Sequence, residues 1–148
     1  MRRSRIYCEQ ALSTGQSMLL DQRNSHYLLH VLRVKADQTL ILFDGLGADY
    51  RATISEVSRK SVNVFIHEKI AAEDTVSESP LQLTLAIAVS KGERMDWVMQ
   101  KATELGVTCI QPLITKRVDV KLNAERTAKK MDHWLGVVIG ACEQSGRA

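Results

Sequence analysis

Glu93, Trp97, Gln100 and Glu104 recur at helical spacing within SKGERMDWVMQKATELGV, residues 90–107. They bring two carboxylates, an amide and an aromatic ring to one strip. At roughly 100° per residue the four fall within about 60° of one another. Arg94 and Lys101 border the strip. Such a row suits contact with a second subunit or with RNA better than it suits solvent alone. The opposite face, Met95, Val98, Met99, Ala102 and Leu105, is apolar and fits a helix packed on a sheet.

Other candidates sit where strands give way to helices. Ser90-Lys91-Gly92 follows an apolar run, and in open α/β sheets ligands gather at such strand ends. Lys91 can meet a phosphate there, although a turn that needs glycine explains the residues equally well; neither GxGxxG nor a Walker loop is present. Thr115-Lys116-Arg117 ends a second strand, with Lys121 nearby, and Glu143, Gln144 and Arg147 close the last helix. Arg117 and Arg147 can each hold a phosphate or a carboxylate with two nitrogens. Arg5, Arg23, Arg33, Lys35, Arg59 and Lys60 offer a phosphate-contacting surface on the first half of the chain. His26 and His30 lie four apart, but no third metal ligand accompanies them. Cys8, Cys109 and Cys142 are widely spaced with no CxxC pair, so reduced thiols in a cytoplasmic protein are expected.

The elements that must position these groups divide the chain. Residues 1–67 hold nine Lys and Arg against six Asp and Glu, and residues 81–148 hold ten against seven. Between the two basic segments, residues 68–80 carry four acids and one Lys. The expected organisation is a mainly antiparallel barrel over 1–70, a linker over 71–80 and an α/β segment over 81–148. In the barrel, Arg5–Cys8, Ser17–Leu20, Thr39–Phe43, Tyr50–Val57 and Ser61–His67 read as strands. Asn24 is the expected cap of a short helix through Leu32. Asp44-Gly45-Leu46-Gly47 reads as a turn, and Ser58–Ser61 as a basic hairpin tip. Beyond the linker, Leu81–Val89 is apolar enough for a strand buried on both faces. A helix from Glu93 to a glycine cap at Gly106 follows, then a strand over Cys109–Ile114. Asn123 is expected to cap a long helix with Met131, Leu135, Val138 and Cys142 sharing its core face. No apolar run is long enough to span a bilayer, and no signal peptide opens the sequence. Two strands make no doubly covered sheet, so the α/β segment is expected to be completed by residues outside these 148.

Several blocks together carry a resemblance: RIY, HYLLHVLRV, LFDGLGADYRATI, KSV, SKGERMDWVMQKATELGV and ACEQSGR. The sequence resembles the RsmE-type family of 16S ribosomal RNA uridine N3-methyltransferases along its whole length, the last two blocks being the most specific. The resemblance implies an N-terminal PUA-like RNA-binding barrel and a SPOUT-type α/β methyltransferase domain that ties a trefoil knot near its C-terminus. It also implies a homodimer that uses S-adenosylmethionine and acts on 16S rRNA of the small ribosomal subunit. On that basis Arg117, Glu143, Gln144 and Arg147 are expected nearest the catalytic centre. Arg5, Arg33, Arg59, Lys60, Lys91 and Arg94 are expected on the RNA, and Glu93, Trp97, Gln100 and Glu104 at the dimer interface. The family's GPEGG-like and LGxRxLRxET-like segments do not occur here. The knot and most of the donor site are therefore expected outside this chain, an N-terminal portion with doubtful activity by itself. A non-catalytic RNA-binding protein with an oligomerising α/β appendage is the alternative; an unrelated nucleotide-binding α/β protein is disfavoured by the missing phosphate-binding glycines.

Overall fold

The computed structural model describes residues 4–71, 78–116 and 123–147. The chain divides into two compact units, residues 1–77 and 78–147.

The first unit is built on a five-stranded sheet of order β1-β3-β4-β5-β2. Its strands are β1 (Arg5–Tyr7), β2 (Gln16–Leu19), β3 (Thr39–Phe43), β4 (Asp49–Val57) and β5 (Val62–Lys69). Only the β1–β3 pair is parallel; β3–β4, β4–β5 and β2–β5 are antiparallel. Alternation does the sorting: Val62, Val64 and Ile66 on β5, with Ala52 and Ile54 on β4, point to one face. They join Ile6, Cys8, Leu20, Leu28, Leu40 and Leu42 in one core. Register shifts at Arg51/Ala52 and Ile54/Glu56 mark bulges in β4, which bend a strand and sharpen its twist.

The sheet's two ends, β1 and β2, do not pair among the described residues; the short helix α1 (Gln22–His26) stitches them. Asn24 Nδ2 donates to Tyr7 O at the end of β1 (2.8 Å). Ser25 Oγ donates to Leu20 O, after β2, and accepts from Val62 N at the start of β5 (3.1 and 3.3 Å). Asn24 and Ser25 are both buried. The helix cap is Asp21, not Asn24: the Asp21 carboxylate accepts from both Asn24 N and Asn24 Nδ2. Asn24 is thus drawn inward by a partner seventeen residues away, which local capping rules do not register. After α1 the backbone widens into a π-helical segment, Tyr27–Leu32, and leaves it through Arg33 in the left-handed region.

The second unit pairs β6 (Thr84–Ala88) in parallel with β7 (Cys109–Leu113), with α2 (Arg94–Glu104) connecting them and α3 (Ala124–Ser145) following. Met95 and Met99 of α2 pack with Trp134 of α3, Val89, and the half-buried Ile87, Ile110, Val137 and Val138. The Cβ of every second strand residue turns away from these helices, and that side is exposed: Thr84, Ala86 and Ala88 on β6, Cys109, Gln111 and Leu113 on β7. The expectation of a strand buried on both faces is corrected accordingly, since the described helices cover one face only. The helix α3 turns differently from expectation too. Asn123 caps it as predicted, its side chain accepting from Arg126 N. Trp134, Ile139 and Ala141 are the buried positions, whereas Met131 and Leu135 are exposed. A large indole beside the methionines of α2 sets the rotation of the helix. Among the described residues no helix is long and apolar enough to cross a membrane.

Candidate functional site

The polar strip on α2 forms as the periodicity requires. Glu93, Trp97 and Gln100 are exposed, and Trp97 leaves 63% of its surface uncovered. Gln100 Nε2 donates to Glu104 Oε1 (2.9 Å), and Lys101 Nζ to Glu104 Oε2 (2.7 Å). The Lys101 ammonium, with help from Gln100, holds the Glu104 carboxyl below its ordinary value, against a smaller opposing desolvation. The helix ends in two backbone bonds, Gly106 N to Thr103 O and Val107 N to Ala102 O. Gly106 takes the positive φ of +97° that this ending demands. Lys91 and Arg94, expected on the RNA, are exposed at the start of the same helix.

The last helix brings Arg147 to a place unlike the one expected. Its Nη1 donates to Thr103 O and Val107 O (2.6 and 3.0 Å), at the carbonyl end of α2. Its Nε and Nη2 meet the Glu78 carboxylate at 2.8–3.0 Å. A cation at a helix C-terminus is favoured by the helix dipole and by unsatisfied carbonyls. With its side chain only 12% exposed, Arg147 fastens α3 to α2 and to the start of the unit. Glu143 is half-buried and Gln144 exposed one turn earlier. Arg117 and Lys121 lie outside the described residues.

On the first unit the basic candidates separate. Arg5 is not presented to a ligand as expected. It pairs with Asp49 through Nη2 (2.6 Å) and Nε (3.0 Å), both side chains nearly buried, and lies 3.7 Å over the Phe43 ring. A guanidinium so desolvated and so paired holds strands together. Arg33, Arg59 and Lys60 are exposed. Arg59 and Lys60 ride a tip closed by Ser58 N to Ser61 O and by hydroxyl contacts between those serines. His26 and His30 stack at 4.5 Å between ring centroids.

A feature that motif reasoning missed is a cleft of about 630 Å³ lined by Tyr7, Glu9, Asp21, Gln22, Arg23 and His26. No local pattern announces it, because its walls come from residues 7–9 and 21–26. The fit to a methyl donor can also be tested on the second unit. A Cβ built on Gly92 or Gly106 meets nothing within 4 Å, so neither glycine forms a close cradle. The one buried, unpartnered side-chain polar atom among the described residues is Arg51 Nε, in the first unit.

Comparison with known proteins supplies the rest. The RNA methyltransferase PUA domain family matches residues 20–66, and the RNA methyltransferase domain family matches residues 77–148. Among solved structures, a Legionella pneumophila protein assigned as a methyltransferase, in complex with S-adenosylmethionine, is 45% identical with a TM-score of 0.93. The match covers 99% of this chain and 60% of that one. A ribosomal RNA small subunit methyltransferase E of Neisseria gonorrhoeae, also bound to S-adenosylmethionine, is 40% identical with a TM-score of 0.92, over 99% and 59% of the two chains. The protein of that name from Buchnera aphidicola is 33% identical over 143 residues, 97% of this chain and 55% of its own length. The chain thus spans between half and two thirds of the length of these relatives. With both of its units matched in sequence and fold, the chain belongs to the ribosomal RNA small subunit methyltransferase E family.

Proposed function

We propose that the chain takes part in S-adenosylmethionine-dependent methylation of N3 of a uridine in 16S rRNA, its first unit presenting the RNA and its second framing the reaction. The observation that carries this reading is the match over 99% of the chain to two methyltransferase structures with S-adenosylmethionine bound. The acceptor chemistry sets the demands. N3 is a weakly acidic ring nitrogen on the Watson–Crick edge, so the base must be unpaired and must lose a proton to a base or to a cation-stabilised site. S-adenosylmethionine supplies the electrophilic methyl group. Lys91 and Arg94 suit the RNA approach. Arg147 holds the ends of α2 and α3 together, which places Glu143 and Gln144 reproducibly on the last turns of α3. Exposed Arg33, Arg59 and Lys60 suit phosphate contacts that orient the strand without reading sequence. The Trp97 strip suits a homodimer, and three widely spaced cysteines with no CxxC pair suit the cytoplasm.

Nucleoside mass spectrometry of 16S rRNA from cells with and without the gene tests the reading. The expected result is loss of one N3-methyluridine on deletion and its return on complementation; an unchanged nucleoside profile would overturn it.

A further inference from the structure

The cleft in the first unit is lined by two segments of different chemistry. Tyr7 and Glu9 form one side, and Asp21, Gln22, Arg23 and His26 the other. The Asn24 Nδ2 to Tyr7 O bond ties the two segments together. Each wall carries a ring, and each ring is braced by another. Tyr7 packs on Phe43 at 5.5 Å, with Gly45 so close that a Cβ there would lie 3.1 Å from Tyr7 Cε2. His26 packs on His30 at 4.5 Å. The cleft falls within the ~300–1,000 Å³ range of sites for small ligands. Beside it runs the π-helical segment, a backbone form found disproportionately at functional sites.

The polar groups narrow the ligand. Both oxygens of Asp21 are committed to Asn24. The side chains of Glu9, Gln22 and Arg23 are exposed and make no hydrogen bond to other described residues. A single cation is poor equipment for a groove that merely tracks phosphates. A carboxylate is acceptor-only, and guanine is the base that sets two adjacent N–H donors, N1 and N2, on its Watson–Crick edge. Rings on both walls suit a planar base. Among the described residues no group of His, Cys, Asp and Glu could hold a metal ion there instead.

We infer that this cleft binds one unpaired guanosine nucleotide of an RNA strand, with Glu9 on the base edge and Arg23 on the phosphate. The inference rests on the reading of the first unit as RNA-binding, and it adds a base preference and a location.

The test titrates the 148-residue chain with UUGUU and UUAUU pentanucleotides, with GMP and with GTP, following backbone amide shifts by NMR. UUGUU is expected to bind about tenfold more tightly than UUAUU, moving the amides of Glu9, Arg23 and His26. Glu9→Gln is expected to abolish that preference while leaving UUAUU affinity unchanged. Arg23→Ala is expected to weaken both oligonucleotides alike and to lower the salt dependence. Equal binding of the two oligonucleotides, shifts confined to other surfaces, or a guanine preference that survives Glu9→Gln would overturn the inference. GTP binding more tightly than UUGUU would overturn the RNA strand as the source. The outcome separates from the methylation test: a guanine preference erased by Glu9→Gln stands even where deletion leaves N3-methyluridine untouched. An intact methylation phenotype does not rescue a cleft without base preference.

Discussion

The two units spend their apolar residues differently. In the first, strands and helix enclose a continuous core from Ile6 to Ile66, and the buried Asn24, Ser25 and Asp49 side chains are hydrogen-bonded. In the second, a small cluster around Met95, Met99 and Trp134 is ringed by uncovered hydrophobic side chains: Leu83, Trp97, Leu105, Ile114, Met131 and Leu135. Single exposed apolar residues are ordinary, but so many in one small unit are not. The first unit leaves fewer large apolar side chains exposed, Leu19, Val31, Leu32 and Leu46, and most of its sequence is explained by its own interior. The second unit's sequence is explained only in part by it, and the remainder describes surfaces that await something else.

That contrast can be broken by mutation. The largest effect is expected inside the first unit, where Asp49→Ala takes the carboxylate partner from the nearly buried Arg5 guanidinium. A loss of about 3–5 kcal/mol is expected, measured by chemical denaturation; a loss below 1 kcal/mol would mean that the pair is not the internal brace described. Next comes Arg147→Ala. Removing charged hydrogen bonds to α2 and Glu78 should lower stability by about 2–3 kcal/mol, and hydrogen exchange should localise the change to α2 and α3. Trp97→Ala sharpens the contrast from the other side. It should change stability by no more than about 0.5 kcal/mol while weakening self-association in sedimentation equilibrium. A stability loss of core size would place Trp97 with the interior. The smallest effect concerns Glu104. Its folded-state pKa is held below the ordinary carboxylate value by Lys101, so its contribution is present above that ordinary value and is lost as pH falls through the lower folded one. An NMR titration of the Glu104 carboxyl should show the depressed midpoint, and Lys101→Ala should raise it.

Much of the architecture was legible because it depends on short-range chemistry. Thr39–Phe43 is a strand at its expected bounds, and α2 starts one residue after Glu93 and ends at Glu104, two residues before Gly106. Asn123 caps α3 as its residue type suggests. Several of the errors arise from partners distant in sequence. Asn24 turned from cap to stitch because Tyr7 needed a donor for its carbonyl. Arg5 left the surface because Asp49 and Phe43 lie beside it across the sheet. Helical periodicity placed Met131 and Leu135 in an apolar stripe but could not say that Trp134 would claim the interior. Arg147 was correctly singled out as a bidentate guanidinium, and its partners turned out to be Glu78 and two carbonyls of the same unit. The cleft stayed invisible because neither of its walls means anything without the other.

The Arg147–Glu78 contact has a topological consequence. It joins residues near the two ends of the second unit's described span, so this part of the chain is closed by a side-chain clasp much as a necklace is. Neighbouring ends make a segment transplantable: it can be spliced into a loop of another protein, or reopened elsewhere, with little distortion of either partner. A circular permutant joining residue 147 to residue 78 through a short flexible linker, with new ends in the exposed turn at Gly92, is expected to retain the α2–α3 packing, read from the buried fluorescence of Trp134. The same closeness means that evolution could exchange what precedes this unit without disturbing how its helices meet.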